Sequence, residues 1–191
     1  MSRWLVGAWA LLVLLVAGDA RASVSIAVTW DGLLRESTAA VMATPVESRS
    51  VWENGRIYTY TRVHVDRAVA GELAAGAEPW VRTMGGVVGK LGQLVDGEAV
   101  LVRGQQSLFF LHPGVSGTYL VTARGQGQFP LVAGGSAPPH LVRSTAAGAL
   151  VAPRLHASPA PPQLAADVVH GRGIDDVARD VTSAWARTHA P

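Results

Sequence analysis

Apolar and polar residues alternate with a period of two through much of the first two thirds of the chain. Val24, Ile26, Val28 and Trp30 stand against Ser25, Ala27 and Thr29, the pattern of a half-buried strand. Asp31-Gly32 interrupts it, and residues 33–37 suffice for one helical turn that would need packing to persist. A second strand is expected over residues 38–48. Pro45 puts it at a sheet edge or beside a bulge, because proline cannot donate to a central ladder. The return strand, residues 56–69, carries Ile57, Thr59, Thr61, Val63 and Val65 on one face and Tyr58, Tyr60, Arg62, His64 and Asp66 on the other. The first set is the expected core face.

Between these strands lies Trp52-Glu53-Asn54-Gly55-Arg56. Asn-Gly accepts positive φ at both central positions of a type I′ turn, so the two strands are expected to form a tight hairpin. Further short strands are expected over residues 79–83, 99–103, 107–111, 118–123 and, more weakly, 125–132. Gly104, Pro113-Gly114 and Gly117 punctuate them. With no helical pattern in between, the expected class is mainly β, a small antiparallel barrel or sandwich of about six to seven strands over residues 23–133. Such a length can bury its own core.

Residues 134–163 change to alanine, proline, glycine and serine, with Pro138-Pro139 and Pro159-Ala160-Pro161-Pro162, and read as a semi-extended Pro/Ala-rich linker. In residues 164–191, Ile174, Val177, Val181 and Trp185 recur at helical spacing behind Gly173, with Asp175 and Asp176 suited to a first turn. This short amphipathic C-terminal helix is expected to dock, on the barrel in preference to another protein, since an exposed stripe of that size invites association.

The start of the chain alters the cellular picture. Arg3 precedes an apolar run from Trp4 to Ala17, and Ala20-Arg21-Ala22 offers small residues to a signal peptidase, so residues 1–22 read as a signal peptide. The run is roughly 14 residues, short of the ~20 that cross a bilayer as a helix. The expectation is export to the periplasm or the medium with no retained transmembrane anchor. There are no cysteines, which excludes disulfides, thiolate metal sites and a cysteine nucleophile. The formal charge is only +2 and no run of basic residues accompanies it, so nucleic acid is not an expected partner.

Candidate chemistry is sparse. The glycine-dense stretch Gly85-Gly86-Val87-Val88-Gly89-Lys90-Leu91 has too short a gap before Gly-Lys for a phosphate loop and lacks the following Ser or Thr, so it reads as a barrel corner. His64, His112, His140, His156, His170 and His189 show no metal-ligand spacing, and no metal or cofactor is expected. His64 and Asp66 share a strand face and form either a weak metal or acid–base pair or a solvated surface pair. No Gly-x-Ser-x-Gly turn is present and no catalytic set is assigned. Trp52, Tyr58 and Tyr60, with His64, are the candidate binding residues. Rigid amphipathic aromatics suit recognition of a peptide, a sugar or a protein, and the alternative is packing against the C-terminal helix.

The pattern Trp52-Glu53-Asn54-Gly55-Arg56-Ile57-Tyr58-Thr59, followed by Val63-x-Val65, Ala70-Gly71-Glu72, Gly85-Gly86-x-Val88-Gly89 and Gly97-Glu98-x-Val100-Leu101, resembles a family of uncharacterised exported bacterial proteins with a small OB-like β-barrel. The resemblance covers about residues 33–132 and implies an OB-like barrel, with no active site to carry over. The expected function is therefore a non-enzymatic exported barrel that binds a protein, peptide or envelope component through the hairpin face or the glycine-rich corner. A hydrolase or metal-dependent enzyme with a site assembled from distant residues is the alternative.

Overall fold

The computed structural model describes residues 24–134, 137–153 and 161–190. The expected signal peptide, residues 1–22, and residues 135–136 and 154–160 of the expected linker lie outside them. Strand β1 (Val24–Ile26) leads into helix α1 (Trp30–Arg35), which Thr29 caps by accepting the Gly32 amide. Strand β2 (Ala39–Glu53) then turns into β3 (Arg56–Gly71) through Asn54 and Gly55, at φ 48° and 79°. This is the expected hairpin, and Glu53 faces Arg56 across it.

Both strands outrun their expected ends. β2 also lies inside the sheet, between β3 and β7 (Ser107–Pro113). Pro45 is tolerated because pairing with β7 stops at Ala43 and the register against β3 shifts between Pro45 and Glu47. The bulge is thus present, and the edge position is not.

Strand β4 (Trp80–Met84) pairs antiparallel with β3, and β8 (Tyr119–Val121) pairs antiparallel with β7 and parallel with β4. The order β2-β3-β4-β8-β7 returns to β2, a closed five-stranded barrel of OB-like type. The barrel form of the expected class is therefore the one adopted. The glycine-dense stretch forms a small hairpin of β5 (Gly86–Val88) and β6 (Leu91–Gln93) folded over the main one. A Cβ on Gly86 would lie 2.3 Å from Thr59 Oγ1 and 2.5 Å from Ser50 Oγ, so this corner requires glycine.

Two expectations need correction. Residues 99–103 form no strand; the Gln128 side chain accepts the Val100 amide (3.2 Å) and donates to the Val100 carbonyl (2.8 Å), taking the place of a ladder. In the stretch expected to be a linker, β9 (Gln128–Gly134) is followed by β10 (Ala137–Leu141), and β11 (Ala149–Val151) pairs parallel with β1. Pro138 and Pro139 fit because β10 is the outermost strand of its sheet, where one side of the backbone has no ladder to complete. Leu141 is fully buried and anchors it.

The first half of β2 and most of β7 are buried on both faces. Val41, Phe109 and Leu111 point into the barrel with Val63, Val65 and Val81. Met42, Leu108 and Phe110 point the other way, to a second core closed by α1, α2 (Ala165–Val169) and α3 (Ile174–Thr188). There Val177 and Val181 are fully buried with Leu33 and Leu34, so the C-terminal helix docks on its own barrel as expected. Each such side chain contributes roughly 1.5–3 kcal/mol.

Candidate functional site

On β3 the period of two leaves Tyr58, Tyr60, Arg62 and His64 facing outward, each half-buried, while Ile57, Thr61, Val63 and Val65 are buried. Neighbouring strands supply their partners by register. Arg49 of β2 and Arg82 of β4 flank Tyr60, and Glu47 and Trp80 flank Arg62. The guanidinium carbon of Arg82 sits 3.5 Å from the centre of the Tyr58 ring and 5.8 Å from that of Tyr60. Arg49 lies 5.1 Å from the Trp80 ring and 6.0 Å from Tyr60. Cations over aromatic faces are attracted by the ring quadrupole, so this face is an alternating cation–aromatic array.

Glu53, at the end of β2, ties the array together. It accepts the Tyr60 hydroxyl at 2.8 Å and Arg82 Nη2 at 3.0 Å. The Tyr60 hydroxyl, helped by Arg82, holds the Glu53 carboxyl below its ordinary range despite some desolvation. Burial and the bond to Glu53 push the Tyr60 phenol up. Burial opposes the Arg82 charge, but Glu53 and the two tyrosines outweigh it and keep Arg82 above its usual range. Arg82 is thus a fixed cation with an assigned orientation.

The expected binding residues divide. Tyr58 and Tyr60 belong to this face, and neither packs against α3. Trp52 does not join them, because it pairs opposite Ile57 and so projects from the other face, 55% exposed near the hairpin tip. His64 is on the face but its partner is Glu78 (Nδ1 to Oε1, 3.5 Å). Asp66 is engaged elsewhere, accepting Thr44 Oγ1 at 2.7 Å and Gln106 Nε2 at 2.8 Å, so the His64–Asp66 pair does not form. Between them Arg62 bridges Glu47 and Glu78.

At its lower end the face opens into a cavity of about 350 Å³, within the range of ligand sites. Tyr58 and Arg82 form one wall, and Met84, Glu98, His112 and Arg124 are among the others. Burial pushes the Glu98 carboxyl above its ordinary range, against the Ala99 amide and Arg124, which favour the ionised form. Arg124 follows Ala123 in a turn where both have positive φ, 56° and 53°. Such a conformation costs roughly 1–2 kcal/mol for a residue with a Cβ. Bonds from the Gly125 amide to Gly97 O (2.9 Å) and from the Gln126 amide to Ala123 O (3.2 Å) fix the turn nonetheless. The buried Nε of Arg82 has no acceptor among the described residues.

Arg82 and Arg124 were absent from the residues singled out by sequence, whereas His112 was named among the histidines and Glu98 within Gly97-Glu98, neither as part of a shared site. They come from four separate segments, and no spacing links them. Only Arg82 carried a signal, the alternation of residues 79–83 across from the tyrosines. Among the described residues no three His, Asp or Glu side chains converge as metal ligands, and no helix is long and apolar enough to cross a membrane.

Compared with protein-family models, with curated proteins and with solved structures, the chain matches none. Fold and site together define a small OB-like barrel with an outward cation–aromatic face that leads into a partly polar cavity.

Proposed function

We propose that the protein is an exported, non-enzymatic barrel that binds a protein or peptide partner of the cell envelope through the face formed by Tyr58, Tyr60, Arg82 and Arg49. One observation carries this reading: Arg82 is pinned over Tyr58 and by Glu53, while both tyrosines stay half-exposed. Aromatic and arginine side chains held in place before contact lose little entropy on binding, which is the composition and state of interface hot spots. Export rests on the sequence of residues 1–22, and the resemblance to exported barrel proteins agrees with it. Affinity capture from the envelope fraction tests the proposal: wild type retains a partner that a Tyr58→Ala/Tyr60→Ala variant loses, and equal retention by both contradicts it.

A second reading, an enzyme using acid–base chemistry, is favoured by the presence of Glu98 and His112 in one cavity, with the Glu98 proton stabilised by burial. It requires turnover of an ester or peptide substrate that Glu98→Gln abolishes. Partner binding without turnover supports the first reading.

A further inference from the structure

Trp52 is left out of the cation–aromatic face, and the side of the main hairpin that it occupies carries a surface of its own. The small hairpin of β5 and β6 is fastened there at Ile57, the cross-strand partner of Trp52. The Ile57 carbonyl accepts the Gly85 amide at 2.8 Å, and the Ile57 amide donates to Gln93 Oε1 at 2.8 Å. Gly86 lies against the Ser50 side chain, two residues before Trp52 and on the same face of β2. The tip of the main hairpin and the small hairpin therefore make one corner of the barrel. At that corner Trp52, Val87 and Leu91 are each more than half exposed. Scattered exposed aliphatics are ordinary, but large apolar side chains gathered with a tryptophan mark an interaction surface.

The charge that accompanies them is of one sign. Residues 50–58 and 85–93 contain two cations, Arg56 at the turn of the main hairpin and Lys90 at the turn of the small one. Both are exposed, and neither makes an ion pair with a described residue. The one acid in the two stretches, Glu53, is committed to Tyr60 and Arg82. Apolar side chains flanked by unpaired cations complement an anionic bilayer: the tryptophan and the aliphatics suit the boundary between headgroups and acyl chains, and the cations suit lipid phosphates.

We infer that this corner docks the protein on an anionic phospholipid bilayer, with Trp52, Val87 and Leu91 entering the interface and Arg56 and Lys90 meeting the headgroup phosphates. The surface is distinct from the Tyr58–Tyr60 face, which projects from the opposite side of the hairpin. Docking therefore leaves that face free for a partner.

The test is co-sedimentation of the chain starting at Ser23, which keeps every described residue and both cores, with two kinds of vesicle: equal parts phosphatidylglycerol and phosphatidylcholine, or phosphatidylcholine alone. Saturable binding to the anionic vesicles is expected, weakened by salt and at least about tenfold weaker on the neutral ones. Trp52→Ser and Lys90→Glu should each weaken it by at least about fivefold. Val115→Ser, at an exposed turn elsewhere, and Tyr58→Ala/Tyr60→Ala should leave it unchanged. Circular dichroism confirms that the variants fold. No sedimentation with either vesicle, equal binding to both, or wild-type binding by Trp52→Ser and Lys90→Glu overturns the inference and leaves the tyrosine face to the capture experiment. Loss of binding in the double tyrosine variant overturns it by moving the contact to the other side of the hairpin. A self-associated species in light scattering that Trp52→Ser dissolves overturns it in favour of a second copy of the chain at this corner.

Discussion

Arg82 and Tyr58 are diagonal neighbours on adjacent strands, and the guanidinium carbon of the one lies 3.5 Å from the ring centre of the other. Neither residue is at a turn or in a loop, so the contact is positioned by the most regular part of the barrel. Glu53 holds the same guanidinium through Nη2, at 3.0 Å. A double-mutant cycle with Arg82→Met and Tyr58→Leu, read by urea unfolding, should give a coupling of about 0.5–2 kcal/mol. Additive effects would mean that the contact does not form in solution.

The hairpin turn is a separate, local commitment. Both turn residues have positive φ, which valine disfavours by roughly 1–2 kcal/mol each. Replacing Asn54-Gly55 by Val-Val should lower stability by about 2–4 kcal/mol and reduce the melting temperature accordingly. An unchanged thermal transition would contradict the turn.

Docking of the C-terminal helix is testable with one methyl-scale deletion. Val181 is fully buried in the helical core beside Leu33 and Leu34. Val181→Ala should cost about 2 kcal/mol in chemical denaturation, whereas Ser183→Ala on the exposed side should cost nothing measurable. Equal effects would mean that α3 leaves the barrel.

Glu98 should make the protein less stable as pH rises. The folded state binds this proton more tightly than the unfolded chain, so stability declines from the free carboxyl's ordinary value, about 4.3, up through the raised folded value. Glu98→Gln should therefore be more stable than wild type at pH 8, with the difference vanishing below about pH 4. Denaturation midpoints across that range check it. A variant less stable than wild type at pH 8 would show that the ionised carboxylate is stabilised in the fold.

Features set by neighbouring residues were legible in the sequence. Asn54-Gly55 needs only its own dihedral freedom to announce the hairpin, and Val177, Val181 and Trp185 announce a helix by spacing alone. The face assignment of Ile57, Val63 and Val65 followed from alternation for the same reason. Trp52 was misplaced although the turn already fixed it: a two-residue loop at Asn54-Gly55 pairs Glu53 with Arg56 and hence Trp52 with Ile57, away from Tyr58. β10 was hidden because Pro138-Pro139 reads as linker composition, and only its outermost position in the sheet makes those prolines acceptable. Of the cavity, His112 and Glu98 were visible as separate residues, but not their meeting with Arg82 and Arg124. Barrel closure rests on a three-residue strand, β8, that pairs in parallel with β4 from a distance in sequence, and that closure brings Arg82, Glu98, His112 and Arg124 together.

The central claim is that the Tyr58–Tyr60–Arg82 face meets a partner. Photocrosslinking in living cells measures that contact, with a benzophenone amino acid placed at Arg49 or Tyr60 on the face and at Val115, an exposed residue in the turn between β7 and β8. A discrete adduct from both face positions and none from Val115 is predicted. Adducts of equal yield from all three positions, or none from the face, would contradict the account.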